Sequence, residues 1–176
     1  IVDSENIRKF RVVVTRILNM ILPNNKQAKQ KHSPYTIFRQ RKMYWSAAIG
    51  DTERIKNLLA IGVLPTYPHK TENNRSPLHI AVLMNEINAL QMLVKALNSH
   101  FKDKGNINQR DVFLNTALHY ACGSESGIGA SREAVKILLD ADLPVDDSLR
   151  NRYNRIAYDY ATASDVQEEM IRAKYT

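Results

Sequence analysis

A short phrase recurs in this chain at a fixed distance, and that spacing constrains the fold more than any other feature. Ser76-Pro77-Leu78-His79-Ile80-Ala81 reads against Thr116-Ala117-Leu118-His119-Tyr120-Ala121, with the histidines 40 positions apart. Another 40 residues on stands Ile156-Ala157-Tyr158-Asp159-Tyr160-Ala161, with aspartate in the histidine slot. An apolar helical stretch follows each copy: Ile87–Val94, Ala134–Leu139 and the weaker Val166–Ile171. An earlier stretch, Trp45 to Asp51, lacks the phrase. It still leads into Ile55, Leu58 and Leu59, spaced for one helix face, with Gly62 as a C-terminal stop. Self-similarity at such a period means stacked supersecondary units that bury each other's apolar faces.

The Ser/Thr-Pro/Ala-Leu-His-aliphatic-Ala phrase with its Val-Lys-Ile-Leu-Leu second helix resembles the ankyrin-repeat family over about residues 44–176. The resemblance implies an all-α fold: a right-handed ankyrin-repeat α-solenoid of about four two-helix repeats with an N-terminal helical extension. The usual period is about 33 residues. The surplus falls around Asn98–Gln109 in the second unit and at Gly123–Ser131 in the third. Asn74, Leu114 and Asn154 stand where the family has glycine before the phrase. In the family, the hydroxyl and the histidine ring tie neighbouring turns together, and the small alanine lets inner helices approach. Pro77 falls in the first helical turn, where a missing N–H costs nothing. Arg155, Asp159, Glu168, Glu169 and Arg172 mark the last unit as a polar cap.

Charge divides the chain differently. Residues 1–43 hold 10 Lys and Arg against 2 acids, whereas 44–176 hold 15 against 16. The net +7 therefore belongs to the N-terminal segment. The expected organisation is 1–43 as an amphipathic helix and basic segment and 44–176 as the repeat domain. Ser4 caps a helix to Leu22 with Ile7, Phe10, Val13, Val14, Ile17, Leu18, Ile21 and Leu22 on one face. Packing on the first repeat is the expectation, with a membrane-surface helix or a partner-binding helix as alternatives. After a basic linker, Ser33-Pro34 opens a second helix carrying Phe38, Met43, Tyr44 and Trp45 beside Arg39, Arg41 and Lys42. Such interleaving suits an anionic surface, nucleic acid or acidic lipid, although aromatics in the core with a solvated basic face is the preferred reading.

No catalytic residue, cofactor or metal is expected. His119 and Cys122 share a helix face, but the repeat already accounts for both. His79 and His119 are expected roughly 8–10 Å apart, one helix packing distance, too far to share a zinc ion. Gly123-Ser-Glu-Ser-Gly127-Ile-Gly129 lacks the Lys-Ser/Thr of a phosphate loop and reads as a flexible loop. A lone cysteine suits a reducing compartment, cytoplasm or nucleus, and the start at Ile1 reads as a fragment of a longer protein, regulatory or scaffold, with an enzyme whose catalytic domain lies outside the fragment as an alternative. The resemblance implies non-catalytic binding of a partner protein through finger loops and the concave inner-helix face. By position these are Glu72, Asn73 and Arg75 in the second unit, Val112, Phe113 and Asn115 in the third, and Arg152, Tyr153 and Arg155 in the fourth. Leu83 and Met84 fall on the concave face.

Overall fold

The computed structural model describes residues 34–123 and 130–173. The amphipathic Ser4–Leu22 segment, the linker after it and the core of the Gly123–Ser131 loop lie outside the described residues. Four pairs of helical elements follow one another. They are α1 (Pro34–Ala48) with α2 (Thr52–Ala60), α3 (Pro77–Leu83) with α4 (Ile87–Ser99), and α5 (Ala117–Ala121) with α6 (Arg132–Leu139). A 3-10 turn (Ala157–Tyr160) pairs with α7 (Ser164–Arg172). The first member of each pair packs on the first member of the next, and the second on the second, so two helix layers run the length of the stack. Among the described residues there is no strand, only an isolated bridge between His69 and Arg75.

Helix α1 runs unbroken across the 43/44 boundary that charge suggested. It is the inner helix of the first pair, so Arg39, Arg41 and Lys42 ride on the stack. Met43 and Tyr44 are buried and Arg41 is exposed, but Lys42 lies over the half-buried Phe38 ring at 5.1 Å, so the aromatic and basic residues separate only in part. Gly50 (φ +68°) closes the first pair's inner helix as Asn85 (φ +53°) closes the second's. That register sets Tyr44 in the slot of His79.

Local chemistry starts and stops the helices where the stack needs them. Ser76 and Thr116 precede α3 and α5 in extended conformation, with Pro77 in the first turn of α3. Asp51 and Ser131 cap α2 and α6 by accepting from the N–H groups of Arg54 and Ala134, at 3.0 and 3.3 Å. Helix α2 ends at Gly62 (φ +83°), with the Val63 N–H on the Leu58 carbonyl at 3.0 Å and the Gly62 N–H on the Leu59 carbonyl at 2.9 Å. This pair of bonds is the Schellman arrangement, for which a left-handed glycine is best suited. One continuous core spans all four pairs. The phrase alanines Ala81, Ala121 and Ala161 are buried in it, and no larger side chain would leave the inner helices in contact.

The surplus residues after α4 are structured. Phe101 and Ile107 are buried, the Asn106 N–H donates to Thr66 Oγ1 (3.3 Å), and Asn108 Nδ2 donates to the Pro144 carbonyl (2.8 Å). The insertion thus stitches loops of neighbouring units. In the fourth unit the first element shrinks to a 3-10 turn. Asp159 Oδ2 accepts from the Ile156 N–H at 2.9 Å, as a phrase histidine does, but it is too short to tether anything beyond. Glu169, expected as a solvated cap charge, is buried. It accepts from Arg132 Nε (3.1 Å) and Arg172 Nε (2.9 Å), which draw it inward. Burial alone would raise its carboxyl, but these two arginines outweigh that and hold it below the usual carboxylate range.

Candidate partner-binding surface

Each phrase is preceded by a tight turn, here a finger, and the two before Thr116 and Ile156 are built from three kinds of bond. The first kind is main-chain. The Asp111 N–H donates to the Asn115 carbonyl (3.0 Å), and the Asn151 N–H to the Arg155 carbonyl (2.9 Å). The second is the side chain at the base. Asp111 Oδ1 accepts from the N–H groups of Phe113 (2.8 Å) and Asn115 (2.9 Å), and Asn151 Oδ1 from those of Tyr153 (3.0 Å) and Arg155 (3.2 Å). The third is a tyrosine of the following inner element. Tyr120 donates to Asp111 Oδ2 (2.5 Å), and Tyr160 accepts from Asn151 Nδ2 (2.7 Å). The turns close because Asn74, Leu114 and Asn154 take φ of +56°, +61° and +62°. The positions where glycine is usual therefore keep the left-handed conformation without it.

The fingers are also bonded to one another. The Val112 N–H donates to the Asn73 carbonyl (2.9 Å), and one repeat on the Arg152 N–H donates to the Phe113 carbonyl (2.9 Å). Beneath this ladder the histidines form a second one. His79 accepts at Nδ1 from the Ser76 N–H (3.0 Å) and donates from Nε2 to the Asn115 carbonyl (3.1 Å). His119 repeats the pattern between Thr116 (3.2 Å) and the Arg155 carbonyl (3.2 Å). Both rings must be neutral with the proton on Nε2 to do this. Burial lowers both, His79 to about 4, although the bond to the carbonyl opposes the shift.

The expected binding residues do not all meet on this surface. Asn73, Val112, Arg152, Tyr153 and Arg155 are exposed on finger tips, and Glu72 and Phe113 are half-covered. Val112 and Tyr153 are 44% and 49% exposed, large for apolar side chains. Arg152 lies over the Phe113 ring at 5.7 Å, and Arg155 over Tyr160 at 5.4 Å. Asn115 is buried, and its Oδ1 accepts from Asn151 Nδ2 at 2.8 Å, so its side chain joins two fingers instead of facing outward. Arg75 is turned inward onto Tyr120, donating to the hydroxyl from Nε and Nη2 at 3.3 Å. Leu83 and Met84 are half-buried against the core. Sequence reasoning passed over Lys70, Arg110 and Arg150 as finger residues, and over Leu114, which is 41% exposed. Aligning whole turns at the 40-residue period, instead of only the phrase, finds all four.

On the opposite side, an open cleft of about 560 Å³ lies between α4 and α6, lined by Lys95, Asn98, Glu133, Lys136 and Asp140 among others. Its charges are mixed in sign. Cys122 is buried, and burial pushes its thiol up to about 12.

The model of the family described as ankyrin repeats, in three copies, matches residues 42–151. No curated protein matches the chain. Among solved structures, the ankyrin repeat domain of Bcl-3, described as a unique member of the IkappaB protein family, is similar at a TM-score of 0.60 and 23% identity. The likeness covers 73% of this chain and 50% of that one, so the chain spans half the length of that structure, and it bears on the fold alone.

Proposed function

Because the chain belongs to the ankyrin-repeat family, whose repeats are generally protein–protein interaction modules, we propose that it captures a partner protein along its finger edge. One observation carries this reading: the fingers are cross-bonded into a ridge, yet the ridge holds Val112, Leu114 and Tyr153 out in solvent. An isolated turn would cost conformational entropy to order on binding. A turn already fixed by its neighbours does not, so exposed apolar and arginine side chains on it bind at low cost. Tyrosine and arginine are also the residues that most often dominate interfaces. The inner-helix side chains Leu83 and Met84, half-covered, contribute at the edge of such a contact.

The test is capture of proteins from a cell extract by the immobilised chain, with identification of those retained. Tyr153→Glu and Val112→Glu should each remove the specifically retained set, while Lys136→Glu on α6 should leave it intact. An unchanged set after both finger substitutions would end this reading.

A further inference from the structure

The fingers carry a column of basic residues at the repeat period: Lys70, Arg110 and Arg150. The two arginines are held alike. Arg110 donates from Nε to the Leu114 carbonyl (3.2 Å), and Arg150 from Nη1 to the Asn154 carbonyl (2.8 Å). Arg110 also donates forward to the Arg150 carbonyl of the next finger. A guanidinium has five N–H donors in a planar fork, so each arginine keeps a face for a carboxylate. Arg152 and Arg155 add charge on the last finger. Within residues 69–75, 109–115 and 149–155 the acids are Glu72 and Asp111, and Asp111 is buried and already hydrogen-bonded. Asp146 and Asp147 precede the last finger, and the Asp146 N–H donates to Asn108 Oδ1 (3.0 Å), while Glu133, Asp140 and Asp142 lie on and after α6. The finger turns themselves are net basic within a near-neutral stack.

The spacing of the finger edge follows from its bonds. One main-chain bond closes each finger and one joins it to the next, so neighbouring fingers are two hydrogen-bonded spacings apart. Two spacings come to about 9.6 Å, in line with the roughly 8–10 Å between packed helices. A polyproline II helix rises about 3.1 Å per residue with three residues per turn, so every third side chain falls on one face about 9.3 Å further on. A β-strand fails this match, because its third residue points to the opposite face.

We propose that the finger edge binds a polyproline II segment of a partner protein bearing a carboxylate at every third position. The assignment rests on the interaction-module reading above and names its ligand. The carboxylates pair with Lys70, Arg110 and Arg150. The residues between them, prolines by preference, lie against Val112, Leu114 and Tyr153, since aromatic and apolar side chains are what polyproline II ligands dock on.

The test is fluorescence anisotropy of the whole chain with two labelled peptides of identical composition. One repeats the triplet Glu-Pro-Pro, and the other carries its glutamates in one block. Exposed ion pairs are individually weak, so three in register should favour the triplet peptide by roughly tenfold. Binding should weaken as salt rises. Arg110→Glu with Arg150→Glu, confirmed folded by circular dichroism, should lose the triplet peptide and acquire a Lys-Pro-Pro one. Lys136→Glu should do neither. Equal affinity for the two acidic peptides overturns the proposal. So does a double variant that still binds the triplet, or an oligothymidylate that outcompetes it. If the triplet fails while Tyr153→Glu still abolishes partner capture, the ligand assignment falls and the interaction-module reading stands.

Discussion

His79 Nε2 donates to the main-chain carbonyl of Asn115, 36 residues away, at 3.1 Å, so a buried side chain in one repeat closes the turn that starts the next. A neutral ring is needed because its Nδ1 also accepts from the Ser76 N–H, and the site supplies one by excluding water.

That dependence gives a pH signature. The folded pKa of His79 is about 4, below its ordinary 6.5, so the unfolded chain takes up a proton that the folded chain refuses. The stabilisation is complete above about pH 6.5 and should fall on acidification toward pH 4, by up to about 1.4 kcal/mol per pH unit where the difference is a full proton. His119 is shifted the same way and adds to the slope. Glu169, whose folded value is lowered, should contribute a further loss at more acidic pH. Urea midpoints measured at several pH values should show this, and His79→Gln should flatten the upper part of the curve.

Leu114 holds φ +61°, a conformation that penalises a Cβ, yet its side chain is 41% exposed and returns little burial. The left-handed penalty of roughly 1–2 kcal/mol exceeds the entropy cost of glycine, roughly 0.5–1 kcal/mol. Leu114→Gly should therefore stabilise the chain, by about 0.5–1 kcal/mol. Asn154→Gly, at φ +62°, should change little, since asparagine tolerates this region. Thermal melts of the two variants side by side decide it.

Asp111 anchors the finger through Phe113, Asn115 and Tyr120. Asp111→Ala leaves those buried groups unsatisfied and should cost about 2–4 kcal/mol. Asp111→Asn should cost less, about 1–2 kcal/mol: Asn151 makes like bonds to Tyr153, Arg155 and Tyr160 one repeat on, but Asp111 also faces Arg75 at 3.8 Å, a pairing the amide loses. Chemical denaturation should rank the variants in that order.

Cys122 is fully covered, with its thiol raised to about 12. An aromatic disulfide reagent at pH 8 should label it only as fast as the chain unfolds. Labelling that keeps pace with a free thiol in native buffer would contradict its burial.

Helix pairing, repeat length and the binding class of the family were legible because they depend on local pattern. Apolar spacing at Ile55, Leu58 and Leu59 reports a helix face, and the phrase histidines report a period. The fate of individual finger residues was not legible. Asn115 and Arg75 read as surface residues, but one faces Asn151 and the other Tyr120, partners 36 and 45 residues away. The 43/44 boundary follows net charge alone, and the helix opened by Ser33-Pro34, expected to carry Met43, Tyr44 and Trp45, crosses it.

The sequence by itself determined that this chain makes stacked helix pairs, since periodic apolar faces have no stable alternative to covering one another. It also determined where the turns fall, including left-handed Asn74, Leu114 and Asn154 in place of glycine. Only the tertiary structure decided which side chains share the finger edge and how one finger is bonded to the next. Stacking brings residues 40 positions apart to neighbouring fingers, and that spacing comes from hydrogen bonds between repeats, not from any one repeat.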